Sequence, residues 1–168
     1  LDFLIENNEW ILSFQYFCDK NQLLKDISFS KREEYKYTKA DLFDHFNFLG
    51  DKNISHSPQF WAGSFFLKKH TISNNFLNEW IDIFEKKMNL IDDSASNVKN
   101  YDGFIENRHD QSVFSLLCKK YNVRSMSAYE CEWGEKNNQR TWEHNLNNPI
   151  LAKRDLKYNI FRRFINRQ

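Results

Sequence analysis

Glycine and proline are scarce in this chain: 168 residues contain four of the first and two of the second. Tight hairpins draw on glycine at positive φ, and barrels or sandwiches of many short strands need such turns again and again. Helices with a few strands are what this composition favours. Aromatic residues make up 17% of the chain, with 16 Phe, 7 Tyr and 5 Trp, a content that disordered chains lack. At this length folding buries roughly 70% of the surface the unfolded chain exposes, enough for a core. The 24 basic and 23 acidic side chains leave a net charge of +1, which provides no global field to hold nucleic acid by counterion release. Cys18, Cys118 and Cys131 lie far apart without a C-x-x-C pair, and read as reduced thiols of a cytosolic protein. No run of about 18 apolar residues is present to cross a bilayer, and the start has no signal-peptide pattern. The first residue is Leu1 and not Met, and Leu1 to Asn7 reads as a helix entered midway, so a fragment is expected.

Along the chain, Trp10 to Phe17 has the aromatic and branched content of a buried strand, with Ile11 and Ser13 on one face and Leu12 and Phe14 on the other. Asp19 to Lys36 reads as a long surface loop. Thr38 suits a helix N-cap, with Asp41 three residues on and Leu42, Phe43, Phe46 and Leu49 at helical spacing. Phe60 to Leu67 predicts a central strand, where Gly63 leaves room for something close to the backbone. A helix capped by Ser73 or Asn74 follows, with the stripe Phe76, Leu77, Trp80, Ile81, Phe84 and Met88. Val113, Phe114, Leu117 and Tyr121 mark another helix, and Val123 to Met126 a short strand. Tyr129 to Trp142 is polar with two tryptophans and no clear period, and Asp155 to Ile165 predicts a last helix.

The stretch most specific for chemistry is Glu106 to Tyr121, which sets Arg108, His109, Asp110 and Gln111 together at a helix start. Helix N-termini present unpaired N–H groups and partial positive charge, and with Arg and His beside them they suit a diphosphate. Asp110 can accept hydrogen bonds from sugar hydroxyls or act as a general base toward one. The plainer alternative is that Asp110 is the N-cap and Arg108 pairs with Glu106 on the surface. The run Arg108-His-Asp-Gln-Ser-Val-Phe-Ser-Leu-Leu117 resembles a signature of bacterial glycosyltransferases of surface polysaccharide and lipopolysaccharide synthesis. More distantly it is similar to the Asp-Gln motif of glycogenin-like and other retaining GT-A enzymes. Tyr37-Thr-Lys-Ala-Asp41 and Gln59 to Lys69, followed by Phe76 to Trp80, agree in order and spacing.

This resemblance implies an α/β fold, the C-terminal part of a GT-A domain with a Rossmann-like mixed sheet and flanking helices, over residues 1–168 as one domain. It implies transfer of a sugar from a nucleotide-sugar donor to a surface glycan or lipid-linked acceptor at the inner face of the cytoplasmic membrane. Asp110 would be catalytic. Arg108, His109, Gln111, Gln59, Trp61, Gly63 and Lys39 would lie around the donor, with Mn²⁺ or Mg²⁺ as cofactor. The chain departs from the family at Asn107, where a second His is usual, and contains no Asp-x-Asp metal motif. The nucleotide-binding half of such a fold would lie upstream of Leu1.

His144 vaguely resembles a C-terminal metal ligand of glycogenin-like enzymes, although a lone His in a Trp-rich polar segment is more often a hydrogen-bonded surface residue. Trp61, Trp133 and Trp142 suit a stacking platform for a sugar ring or a nucleobase, with core packing the alternative for Trp61. Lys39 and Asp41 either line the cleft or belong to a capped helix. Residues 153–168 form a basic amphipathic tail with Lys153, Arg154, Lys157, Arg162, Arg163 and Arg167, suited to an anionic membrane surface or to core packing. The rival reading is a non-catalytic fragment that binds a partner or a glycan.

Overall fold

Ile11–Gln15 (β1) buries its first four residues, as a strand with apolar groups on both faces must. The computed structural model describes residues 10–18 and 26–153. Within it β1 is the middle of a three-stranded sheet, antiparallel to Phe60–Leu67 (β2) and parallel to Arg124–Ser127 (β3). The predicted central strand, β2, is therefore an edge, and its pattern agrees: only Phe60 is fully buried. Its register on β1 jumps from Phe65 opposite Ser13 to Trp61 opposite Phe14. Ala62, Gly63 and Ser64 are thus left out of the ladder as a bulge, the place in a strand where glycine is expected.

One sheet face carries the larger core. Thr71–Lys86 (α4) and His109–Lys120 (α5) pack there, with Phe43, Phe76, Phe114 and Leu117 at its centre. α5 contacts β2, α4 and Ala40–His45 (α2), and every residue from Ser112 to Cys118 is buried. An enclosed helix needs apolar or small groups all round, which is why its predicted stripe was too narrow. For α4 the stripe was too wide. Phe76 and Ile83 are buried and Trp80 packs beside them, while Ile81 and Met88 are 52% and 58% exposed. Ser73 is not its cap: His70 accepts the Ile72 amide through Nδ1 at 3.2 Å, and Ser73 Oγ accepts the His70 amide at 3.1 Å. The pair makes a reciprocal cap.

The predicted loop of residues 19–36 ends in helix instead. Glu34–Tyr37 (α1) buries the Glu34 side chain completely. That is tolerable because the carboxylate accepts from Thr38 Oγ1 at 2.8 Å, Gln59 Nε2 at 3.1 Å, Ser115 Oγ and Lys119 Nζ at 2.5 Å. Thr38 spends its hydroxyl here and caps nothing; α2 begins after Lys39 with no side-chain cap. Lys52–Ser55 (α3) leads into β2.

The other sheet face holds a smaller core of Phe14, Tyr16, Ala128 and Cys131, with Phe29, Trp61, Phe66 and Ile150 against it. Residues 127–153 form its cover. They include the hairpin Gly134–Lys136 (β4) and Gln139–Thr141 (β5), turned by Asn137 and Asn138 at φ 51° and 59°. Two successive positive φ values are what a two-residue hairpin turn needs, and asparagine meets the need without glycine. Cys18, Cys118 and Cys131 form no disulfide. No helix among the described residues is long and apolar enough to cross a membrane. The predicted helix Asp155–Ile165, the rest of the basic tail and Leu1 to Asn7 lie outside the described residues.

Candidate functional site

Open α/β sheets present their ligand sites beyond the carboxyl ends of parallel strands. Here β1 ends at Gln15 and β3 at Ser127, and the chain beyond β3 folds back over the start of β2. Trp61, Trp133 and Trp142 converge there on one cleft of about 740 Å³, with Gly63, Glu132 and Arg140 also in its wall. That volume lies in the range typical of small-ligand sites, roughly 300–1,000 Å³.

Each indole is held in place. Trp61 meets Phe14 edge-on at 6.2 Å and lies across Gly63, where a Cβ would fall 2.3 Å from the ring. The room left by Gly63 is thus occupied by the neighbouring tryptophan. Arg140, on β5, places its guanidinium 4.6 Å from the centre of the Trp133 ring. Trp142 follows β5 and donates Nε1–H to the Ala152 carbonyl at 3.0 Å, with the Lys153 ammonium 5.9 Å from its ring.

Below the cleft Glu132, Tyr16 and Arg32 are joined by hydrogen bonds, while His144 Nδ1 and Asn145 Oδ1 are buried with no hydrogen-bond partner. Glu132, 9% exposed, accepts the Trp133 amide at 3.3 Å and the Tyr16 hydroxyl at 3.5 Å. Tyr16 in turn accepts from Arg32 at 2.7 Å, with the guanidinium also over its ring at 4.2 Å. Burial pushes the Tyr16 phenol far above its ordinary range, against the opposing pull of Arg32, so it stays a neutral donor.

His144 stacks on Tyr129 at 3.9 Å and donates Nε2–H to the Glu132 carbonyl at 3.1 Å, which Asn145 Nδ2 also reaches at 2.9 Å. Burial lowers its pKa below the usual histidine value. His144 commits Nε2–H to a carbonyl, which leaves Nδ1 as the ring nitrogen that could ligate a metal, buried and with no hydrogen-bond partner. No group of three His, Cys, Asp or Glu suited to a cation accompanies it among the described residues. Its place is under the cleft, fixing the turn that carries Trp133.

The start of α5 forms a second, shallower hollow of about 330 Å³ lined by residues 106–111. Arg108 donates Nε–H to Glu106 at 3.0 Å and lies 5.3 Å from the Tyr37 ring; His109 pairs with Asp93 at 2.9 Å. Both predicted diphosphate cations therefore already face carboxylates. Asp110 is exposed in the first turn, and the cap position belongs to Arg108. His109 has φ 46°, and the other non-glycine residues at positive φ among the described ones are all asparagines. A histidine held in the left-handed region is a local strain of the kind that collects at functional sites.

Gln59 and Gln111 tie the two places together. Gln111 Nε2 donates to Gln59 Oε1 at 2.9 Å, and Gln59 is fully buried two residues before Trp61. Lys39 is not in either hollow. It is 2% exposed and donates to the carbonyls of Asn89 at 2.8 Å and Asp92 at 3.2 Å, while Asp41 accepts the Val98 amide at 2.7 Å. Both hold the 89–100 loop and leave the cleft to other groups. Asn107, which stands where a second His is usual in the resembled family, accepts the Lys39 amide at 3.3 Å and donates to Ile91 O at 3.0 Å.

No family model, curated protein or solved structure matches this chain. Sequence reasoning missed Arg140 and the part of Glu132 in the cleft. The available signal was Asn137-Asn138 between Trp133 and Trp142, a hairpin turn that brings its flanks together.

Proposed function

We propose that this chain supplies the sugar-binding part of a nucleotide-sugar-dependent glycosyltransferase, the C-terminal portion of a GT-A type domain. The observation that carries the reading is the meeting of Trp61, Trp133 and Trp142 on one cleft. The C–H faces of a pyranose are apolar while its rim is polar, so indoles stack on the faces and nearby charged groups take the hydroxyls. Transfer, beyond binding, is supported by the resemblance of the Arg108–Leu117 run and by the Gln111–Gln59 hydrogen bond that joins the start of α5 to the strand carrying Trp61. On this reading the sugar ring lies over the indoles. The exposed Asp110 carboxylate meets a sugar or acceptor hydroxyl, and the α5 N-terminus with Arg108 and His109 faces the diphosphate.

Isothermal titration with UDP-, GDP- and CMP-linked sugars, with and without Mn²⁺, tests it. One of them is expected to bind, and Trp142→Ala and Asp110→Ala to weaken that binding. A folded protein that binds none of them would sink the transferase reading. A second reading, a glycan-binding module, is favoured by the ion pairs that already engage Arg108 and His109. It requires free oligosaccharide to bind with no nucleotide dependence.

A further inference from the structure

The wall of the tryptophan cleft contains three charged residues among those described: Glu132, Arg140 and Lys153. Glu132 is turned inward, with its oxygens on the Trp133 amide and the Tyr16 hydroxyl. Arg140 differs from the chain's other cations at candidate sites. Arg108 has Glu106 and His109 has Asp93, but no described carboxylate lies within ion-pair distance of Arg140. It is exposed, and its guanidinium carbon lies over the Trp133 ring, 4.6 Å from its centre. Stacking fixes the face of a guanidinium and leaves its edge of N–H donors directed outward, the arrangement that suits bidentate capture of an oxyanion.

We infer that the cleft selects an acidic sugar, one whose ring bears a carboxylate or a phosphate: the ring stacks on the indoles and the anionic group is held by Arg140. This rests on the sugar-binding reading of the same cleft. The position of Arg140 on a two-residue hairpin gives the donor fork a rigid base, and Trp133 and Trp142, just before β4 and just after β5, bracket it. A neutral sugar would leave that fork unused. An acidic one gains a charge-assisted pair with a guanidinium that no described carboxylate, including its cross-strand neighbour Glu135, approaches within ion-pair distance.

Tryptophan fluorescence titration of the whole chain with four probes tests the inference: a neutral oligoglucoside, an oligogalacturonide, glucose 1-phosphate and inorganic phosphate. One or both acidic sugars are expected to bind about 10- to 100-fold more tightly than the neutral one, the range of a charge-assisted hydrogen-bonded pair. Which of the two prevails identifies the anion as carboxylate or phosphate. Inorganic phosphate, lacking the ring, is expected to bind far more weakly than either. In Arg140→Gln the ratio of acidic to neutral affinity should fall toward one, and Arg140→Lys should keep part of it. Equal affinity for neutral and acidic sugars in the wild type overturns the inference and leaves a sugar cleft standing. Inorganic phosphate matching the sugar phosphate overturns it too, because the ring would then contribute nothing. Absence of binding by any probe to folded protein overturns the underlying reading as well.

Discussion

The start of α5 and the tryptophan cleft differ in how their polar groups are used. At the helix start Arg108, His109 and Gln111 each have a protein partner, and behind them Glu34, Thr38, Gln59, Ser115 and Lys119 form a closed buried network. In the cleft three indoles and the Arg140 guanidinium line the wall. The first region reads as a frame whose exposed carboxylates are Glu106 and Asp93, paired with Arg108 and His109, and Asp110; the second has aromatic faces open to a ligand. The difference teaches that a charged motif at a helix start can be conspicuous in a sequence while its groups already have partners in the fold, and that a cleft can be lined by residues with weaker local pattern.

The frame breaks hardest at its ion pair. Lys119→Met leaves the Glu34 carboxylate buried beside neutral donors only, and urea unfolding should show a loss of about 3–5 kcal/mol. A loss below about 1 kcal/mol would mean that water reaches Glu34 and that the network is no frame. Next in size, Gly63→Ala puts a methyl group into the Trp61 indole and should cost about 1–3 kcal/mol by overpacking. It should also shift tryptophan emission and weaken sugar binding, joining both regions in one variant because the strand carries both. Unchanged emission would show that Trp61 does not rest on Gly63.

Trp142→Ala sharpens the contrast from the cleft side. Sugar affinity should drop about tenfold, the order of one aromatic stacking contact with its buried area, with a modest change in stability. Arg108→Ala does the reverse: stability should change by less than about 1 kcal/mol, as for other exposed pairs, and neutral-sugar affinity should hold. If Arg108→Ala weakens neutral-sugar binding as much as Trp142→Ala, the separation of frame and cleft fails.

The smallest effect is a pH slope. Burial lowers the His144 pKa in the folded protein below its unfolded value of about 6.5, so the unfolded chain binds the extra proton first. The stability His144 contributes is therefore complete above about pH 6.5 and is lost as pH falls through its folded value. Thermal unfolding between pH 7.5 and 5 should show a shallower acid decline in His144→Gln than in the wild type. A decline of the same steepness would place the acid-sensitive group elsewhere, with His45, whose pKa burial also lowers, the next to test.

Residue order alone was sufficient for what depends on local period. The alternation of Ile11 and Ser13 against Leu12 and Phe14, the strand character of Phe60–Leu67, and the helices at Phe76 and Phe114 were all legible, because side-chain direction repeats every 2 or 3.6 residues. Only the folded chain decided which strand is central, which carboxylate is buried, and where the cleft lies. Glu34 looked like a loop residue because the donors that make its burial tolerable, Gln59, Ser115 and Lys119, are remote in sequence. Trp61 came from an edge strand, and Trp133 and Trp142 from a stretch with no period. Their meeting was fixed by the parallel pairing of β3 on β1 and by the Asn137-Asn138 turn, long-range and backbone events that no local repeat encodes.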